Sequence, residues 1–209
     1  ANSAPGTYTV TNTIAPAGGC AAAVATTVVT VNPNATILLS SAAGTDAQVV
    51  CINAPLTNIT YSIGGGGTGA GAIGLPPGVS GNYVGSVFTI SGSPTAAGFY
   101  TYTVTTTGTC GQTSIVGTID VTPDATITFI STIGSDQQTV CVNTPIDLIQ
   151  YQFGASGTGF TYAGLPPGVT GDPVTGNITG TPTVVGLYTY TVTTTGPCAQ
   201  ASTFGFIDV

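Results

Sequence analysis

Apolar and polar residues alternate along much of this chain with the two-residue period of a β-strand. In "YTYTVT" at residues 188–193, Tyr188, Tyr190 and Val192 fall on one side of an extended strand and Thr189, Thr191 and Thr193 on the other. Tyr100, Tyr102 and Val104 repeat the pattern, and this apolar set is expected to face a core. Further β-rich runs are "ATITFI" from Ala125, "QTVCV" from Gln138, "IDLIQYQF" from Ile146, "NITG" from Asn177, "GLYTYTVTTT" from Gly186 and "STFGFIDV" from Ser202. Gly and Pro punctuate the boundaries between them, and no segment shows a helical period. Six or seven short strands in about 90 residues predict an antiparallel β-sandwich.

The whole pattern then recurs. Asn34 to Val121 returns as Asp124 to Val209. Cys51 maps to Cys141, and the "GLPPGV" at Gly74 to the one at Gly164, both at an offset of 90 residues. "TYTVTTTG" at Thr101 and Thr189 repeats at an offset of 88, so two residues are lost in between. Residues 1–33 read as the tail of a third copy: Tyr8 to Val10 matches Tyr102 to Val104, and "VNPNATI" at Val31 matches "VTPDATI" at Val121. The expected units are therefore 1–33, the C-terminal part of a truncated repeat, followed by full repeats at 34–123 and 124–209. A chain that opens in mid-repeat is expected to be an excerpt from a longer array. The linkers are short and contain Pro, which predicts a beaded, semi-rigid rod.

Composition removes most chemistry from consideration. The chain has no Lys, Arg, His, Glu, Met or Trp, and its only charged side chains are seven Asp. With a formal net charge of −7 and no cation, nothing can neutralise phosphates, so nucleic acid and anionic lipid surfaces are excluded as partners. The longest mildly apolar run, from Cys20, is too short and too rich in Thr to insert in a membrane. General acid and base work lacks His, Lys and paired carboxylates, and the many Ser and Thr have no base to activate them. No catalytic or cofactor-binding residue is therefore expected, and the chain is expected not to be an enzyme. The run "GGGGTG" from Gly64 satisfies GxGxxG, but its counterpart "GASGTG" from Gly154 breaks it, so it reads as a flexible hairpin. Calcium is the one ion the residue types could hold, since Asp120 and Asp124 straddle a linker. The matching positions of the earlier linker are Thr30 and Asn34, so no recurring metal site is expected. Sequons at Asn34, Asn58 and Asn177 do not recur at matched positions and read as composition.

Two segments carry a resemblance. "GLPPGVSGNYVGSVFTISGSPTAAGFYTYTVTTTG" from Gly74 and "GLPPGVTGDPVTGNITGTPTVVGLYTYTVTTTG" from Gly164 resemble immunoglobulin-like repeats of bacterial surface proteins. That family shows an LPxGV turn, an ISGTPT strand end and a GxYxYTVT strand. "QTVCVNTPI" at Gln138 and the Cys after "TTTG" resemble the tandem repeats of very large cell-surface adhesins of Bacteroidetes, including gliding-motility adhesins. The resemblance implies tandem immunoglobulin-like sandwiches, exported by the type IX route and displayed on the outer cell surface. In physical terms, Leu75 and Leu165 are expected to plug the gap between the sheets while Pro76, Pro77, Pro166 and Pro167 hold an extended crossover.

Five cysteines without His or neighbouring thiols suggest disulfides and an oxidising compartment rather than metal. Two pairings follow from the repeat. Within repeats, Cys51 would bond Cys110 and Cys141 would bond Cys198, leaving Cys20 for an upstream Cys. Across repeats, Cys20 would bond Cys51 and Cys110 would bond Cys141. In an immunoglobulin-like sandwich the end of the second strand and the turn after "TYTVTTTG" are expected at one pole, with Cys141 about 25 Å away. Disulfides need Cα atoms within about 7 Å, so the intra-repeat pairing is favoured. Each such loop of about 60 residues would stabilise its repeat by about 4 kcal/mol.

The functional expectation is a non-catalytic structural and adhesive segment of a long extracellular adhesin, used in gliding motility or surface attachment. Its partners would be neighbouring repeats, surface polysaccharide or other copies of itself, met through weak multivalent contacts. The alternative is a filament subunit whose residues 1–33 complete a neighbour's sandwich by strand addition. A discrete carbohydrate-binding module is a third class, disfavoured because the chain has no Trp and most Tyr fall on core-facing positions.

Overall fold

A computed structural model describes residues 3–209; Ala1 and Asn2 of the first unit lie outside the described residues. All regular structure among them is β. Strands β1 (Gly6–Ile14) and β2 (Ala23–Val31) form a two-stranded antiparallel sheet. A first sandwich follows from β3 (Ala35–Leu39), β4 (Ala47–Cys51), β5 (Ile59–Gly65), β6 (Gly67–Ile73), β7 (Val79–Val84), β8 (Val87–Gly92), β9 (Gly98–Gly108) and β10 (Ser114–Thr122). Its sheets run in the orders β3-β5-β8-β7 and β4-β10-β9-β6. The second sandwich uses β11 (Thr126–Phe129), β12 (Gln137–Thr139), β13 (Ile149–Gly154), β14 (Gly159–Ala163), β15 (Val169–Gly171), β16 (Asn177–Gly180), β17 (Leu187–Thr195) and β18 (Ser202–Asp208). Its orders, β11-β13-β16-β15 and β12-β18-β17-β14, reproduce the first strand for strand. Every neighbouring pair is antiparallel except β4 with β10 and β12 with β18, which are parallel.

The alternation in the sequence sets what each face does. Tyr102 and Val104 of β9 and Tyr190 and Val192 of β17 are fully buried, while the Thr residues between them point outward. Ile59, Tyr61, Ile63, Phe88 and Ile90 meet them from the opposite sheet of the first sandwich, as Ile149, Tyr151 and Ile178 do in the second. Burying one such side chain stabilises by about 1.5–3 kcal/mol. Each core is tied across its middle by a tyrosine pair. The hydroxyls of Tyr61 and Tyr102 lie 2.8 Å apart, and Tyr102 donates to the Asp46 carbonyl at 3.5 Å. Tyr151 and Tyr190 lie 3.4 Å apart, and Tyr190 donates to the Asp136 carbonyl at 3.3 Å. Buried phenols need partners, and this chain of hydrogen bonds provides them without charge. Gly117 and Gly205 make the room: a Cβ on either would come within 2.2 or 2.3 Å of the facing tyrosine hydroxyl.

Several expectations are corrected. Each sandwich has eight strands rather than six or seven, because the Gly-interrupted "GFTYA" forms β14 and the three residues after "LPPG" form β15. The glycine run from Gly64 is no flexible hairpin, since β5 and β6 belong to different sheets and the run is the crossover between them. In both crossovers Pro76 and Pro166 are the buried residues, while Leu75 and Leu165 are half-buried and pack on the core margin. The β1–β2 hairpin also takes another register. Gly6 pairs with Val31 as Gly98 pairs with Val121, so Tyr8 stands where Tyr100 stands, not Tyr102. Side-chain geometry agrees: the hydroxyls of Tyr8, Tyr100 and Tyr188 each donate to the carbonyl four residues back. The two residues lost from the second repeat fall between β15 and β16, where Asp172 Oδ1 accepts the amides of Val174 and Thr175 in a tight turn. Those two hydrogen bonds hold its carboxyl below the usual carboxylate range.

Candidate functional site: the junction between repeats

The chain's bonded cysteines meet where one sandwich passes to the next. Cys51 is joined to Cys198 across 147 residues of sequence, with Cα atoms 5.5 Å apart. The bridge therefore links the first sandwich to the second. Neither pairing expected from the sequence forms: Cys51 does not bond Cys110, Cys141 does not bond Cys198, and Cys20, Cys110 and Cys141 are free. The reason lies in strand direction. Because β4 runs parallel to β10, with Cys51 opposite Thr122, it ends at the trailing pole from which the next repeat hangs. Cys110 lies in the β9–β10 turn at the leading pole, the nine-residue length of β10 away, about 30 Å.

Each half of the bridge is held by its own local structure. After β4 the chain turns through Asn53 at φ 62, whose amide donates to the Pro94 carbonyl at 2.7 Å. The Ile52 amide donates to Thr122 at 2.9 Å, fastening the Cys51 pole to the start of the linker. On the other side, the β17–β18 turn carries Cys198, which is 8% exposed. Thr194, almost fully buried, donates to Gln200 Oε1 at 2.9 Å and accepts the Ala201 amide at 2.9 Å, while Gln200 Nε2 donates to the Cys198 carbonyl. Asp124 Oδ1 accepts the Ala199 amide at 3.3 Å, and the Ala125 amide donates to the Ala199 carbonyl at 2.9 Å. The sulfur of Cys198 rests 3.8 Å from the Thr122 carbonyl and that of Cys51 3.6 Å from the Pro197 carbonyl. Chain and disulfide thus cross one junction side by side, with Pro123 between Thr122 and Asp124 fixing its own φ.

The other residues singled out in the sequence take structural places. At the first linker Asn34 Oδ1 accepts the Gly111 amide at 3.2 Å, the same work as Asp124, so the charge at that position is incidental to it. No group of three or more His, Cys, Asp or Glu that could hold a metal exists among the described residues. A depression of about 800 Å³ lies open between the β11–β12 loop and Asp147–Gln150, and Asp147 is its one ionisable residue. Gln138 in its wall is already spent on the Ser135 and Asp147 carbonyls and the Asp147 amide.

Architecture and junction together define a class: an all-β protein of tandem immunoglobulin-like sandwiches, with consecutive units covalently joined. Residues 125–207 match the family model described as "Putative Ig domain". No curated protein matches the chain. Among solved structures it is similar to the I-band fragment I67–I69 from titin, with a TM-score of 0.61 and 12% identity over 98% of this chain and 74% of that one. Drosophila N-cadherin EC1–4 gives 0.53 at 12% identity, covering 78% of this chain and 47% of that one. The protocadherin GammaB4 extracellular domain gives 0.50 at 17%, covering 97% and 38%. The likeness to these structures is one of fold. No helix among the described residues is long and apolar enough to cross a membrane.

Proposed function

We propose that this chain is a non-catalytic segment of a long extracellular adhesin, in which stapled repeats act as stiff spacers and contact modules. The observation that carries this reading is the Cys51–Cys198 bridge, because a bond between consecutive sandwiches serves load and spacing rather than a pocket. Such bonds persist in oxidising surroundings, which favours display outside the cell. The outward rows of Thr, such as Thr101, Thr103 and Thr105 on β9, offer hydroxyls for weak contacts with surface polysaccharide that gain strength by repetition. Outer-surface display in a bacterium, type IX export and a part in gliding rest on the resemblance of the "GLPPGV" and "TYTVTTTG" segments to such adhesins. Among the described residues the filament alternative has a donor but no acceptor. β1–β2 is an unattached hairpin, yet each sandwich already holds its own, β9–β10 and β17–β18. An antibody raised against residues 34–209 tests the reading on cells that make the protein. Labelling of intact cells, with loss of attachment when the gene is deleted, is expected; labelling only after permeabilisation would overturn it.

A further inference from the structure

The two free cysteines of the sandwiches stand in copies of the two half-sites that are bonded. Cys110 occupies the turn of the first sandwich that Cys198 occupies in the second. Its thiol lies 3.8 Å from the Asn32 carbonyl, as Cys198 lies 3.8 Å from Thr122. Thr106 donates to Gln112 Oε1 at 2.8 Å and accepts the Thr113 amide at 3.0 Å, matching Thr194 and Gln200. The Ala35 amide donates to the Gly111 carbonyl at 2.9 Å, and Asn34 grips the Gly111 amide as Asp124 grips that of Ala199. Cys141 likewise copies Cys51. Asn143 follows it at φ 60, and its amide donates to the Pro182 carbonyl at 2.8 Å, as that of Asn53 does to Pro94. The Thr144 amide closes on the Cys141 carbonyl at 3.1 Å, as the Ala54 amide does on Cys51.

Where both half-sites meet, they bond. We infer that Cys110 and Cys141 are the open halves of the same inter-repeat bridge. Cys110 takes a Cys51-type cysteine from the trailing pole of a preceding repeat, and Cys141 takes a Cys198-type cysteine from the leading turn of a following one. The partner is in each case a sandwich of this kind, in a longer chain or in another copy. Forming each bond removes two protons and two electrons from a pair of thiols. A small disulfide of the oxidised glutathione class accepts them: its S–S bond breaks as the new one forms, and it leaves as two thiols. Because one bridge spans 147 residues and the repeat only 90, successive bridges overlap, and each repeat is held by both neighbours.

Disulfide mapping of the native protein tests this. Thiols are alkylated at isolation and the chain is cut with pepsin at acid pH, since it offers trypsin no site. The expected result is recovery of the Cys110 and Cys141 peptides in disulfide linkage, each to a peptide of the complementary type. A linked sequence found outside these 209 residues identifies a neighbouring repeat of a longer chain, and a direct Cys110–Cys141 link identifies copies joined end to end. Recovery of Cys110 and Cys141 alkylated, bonded to a small thiol, or bonded to Cys51 and Cys198 would overturn the inference. A Cys110→Ser variant should expose one newly alkylatable Cys51-type thiol and leave Cys51–Cys198 intact; no new thiol would count equally against it.

Discussion

At the scale of single residues, the chain uses uncharged groups where other proteins use ion pairs. The tyrosine pairs are the clearest case, and they make a pH prediction. Burial raises the pKa of Tyr61, Tyr102, Tyr151 and Tyr190, while burial and then the Asp172 charge push Tyr162 up to about 12. The folded chain therefore keeps phenolic protons that the unfolded chain gives up near pH 10. Stability from these groups is fully present below about pH 10 and is lost as pH rises toward the folded values. Thermal unfolding should show a level midpoint through neutral pH and a steep fall beyond about pH 10; an unchanged midpoint at about pH 11 would refute the buried pairs. Backbone geometry makes a second prediction. Ala155 sits at φ 56 where the first repeat has Gly65 at φ 61, so Ala155→Gly should stabilise by about 0.5–1 kcal/mol. Gly205→Ala should cost about 1–3 kcal/mol by driving a methyl into Tyr190. Urea unfolding of both variants checks the opposite signs.

At the scale of elements, alternation was enough to find most strands and to say which face of each is buried. It placed Tyr190 and Val192 inside and the intervening Thr outside, as they are. It was blind to β14 and β15, where Gly and Pro break the period, and to strand direction, since parallel and antiparallel strands share a period of two. That blindness misled the cysteine pairing: nothing in "AQVVC" says that β4 runs with β10 rather than against it. Repetition of "TYTV" misled in another way, by matching Tyr8 to Tyr102 when the pairing of Gly6 with Val31 fixes the register two residues away. In that register Tyr8, Val10 and Val29 stand where Tyr100, Tyr102 and Ile119 face a core, yet Val10 is 51% exposed and the face is uncovered. A lone two-stranded hairpin is marginal in water. Amides of β1 and β2 should thus exchange with deuterium close to the free-chain rate while those of β9 and β10 are protected. Equal protection in the isolated chain would mean that something covers the hairpin.

At the scale of the whole molecule, the repeat is a unit whose poles are built to be joined. Its period and its lack of Lys, Arg and His were readable in the sequence, because both are properties of residue order and type. The junction was not, because it depends on which ends of which strands share a pole. The consequence is mechanical: pulled from its ends, the chain carries force from Cys51 straight to Cys198, and the stretch between them, a sequence separation of 147, is shielded. Single-molecule stretching of the full chain, oxidised and then reduced, measures this directly. Reduction should release about 500 Å of hidden length, at about 3.5 Å per residue. Two separate unfolding events of single-repeat length, the same with and without reductant, would contradict a stapled array.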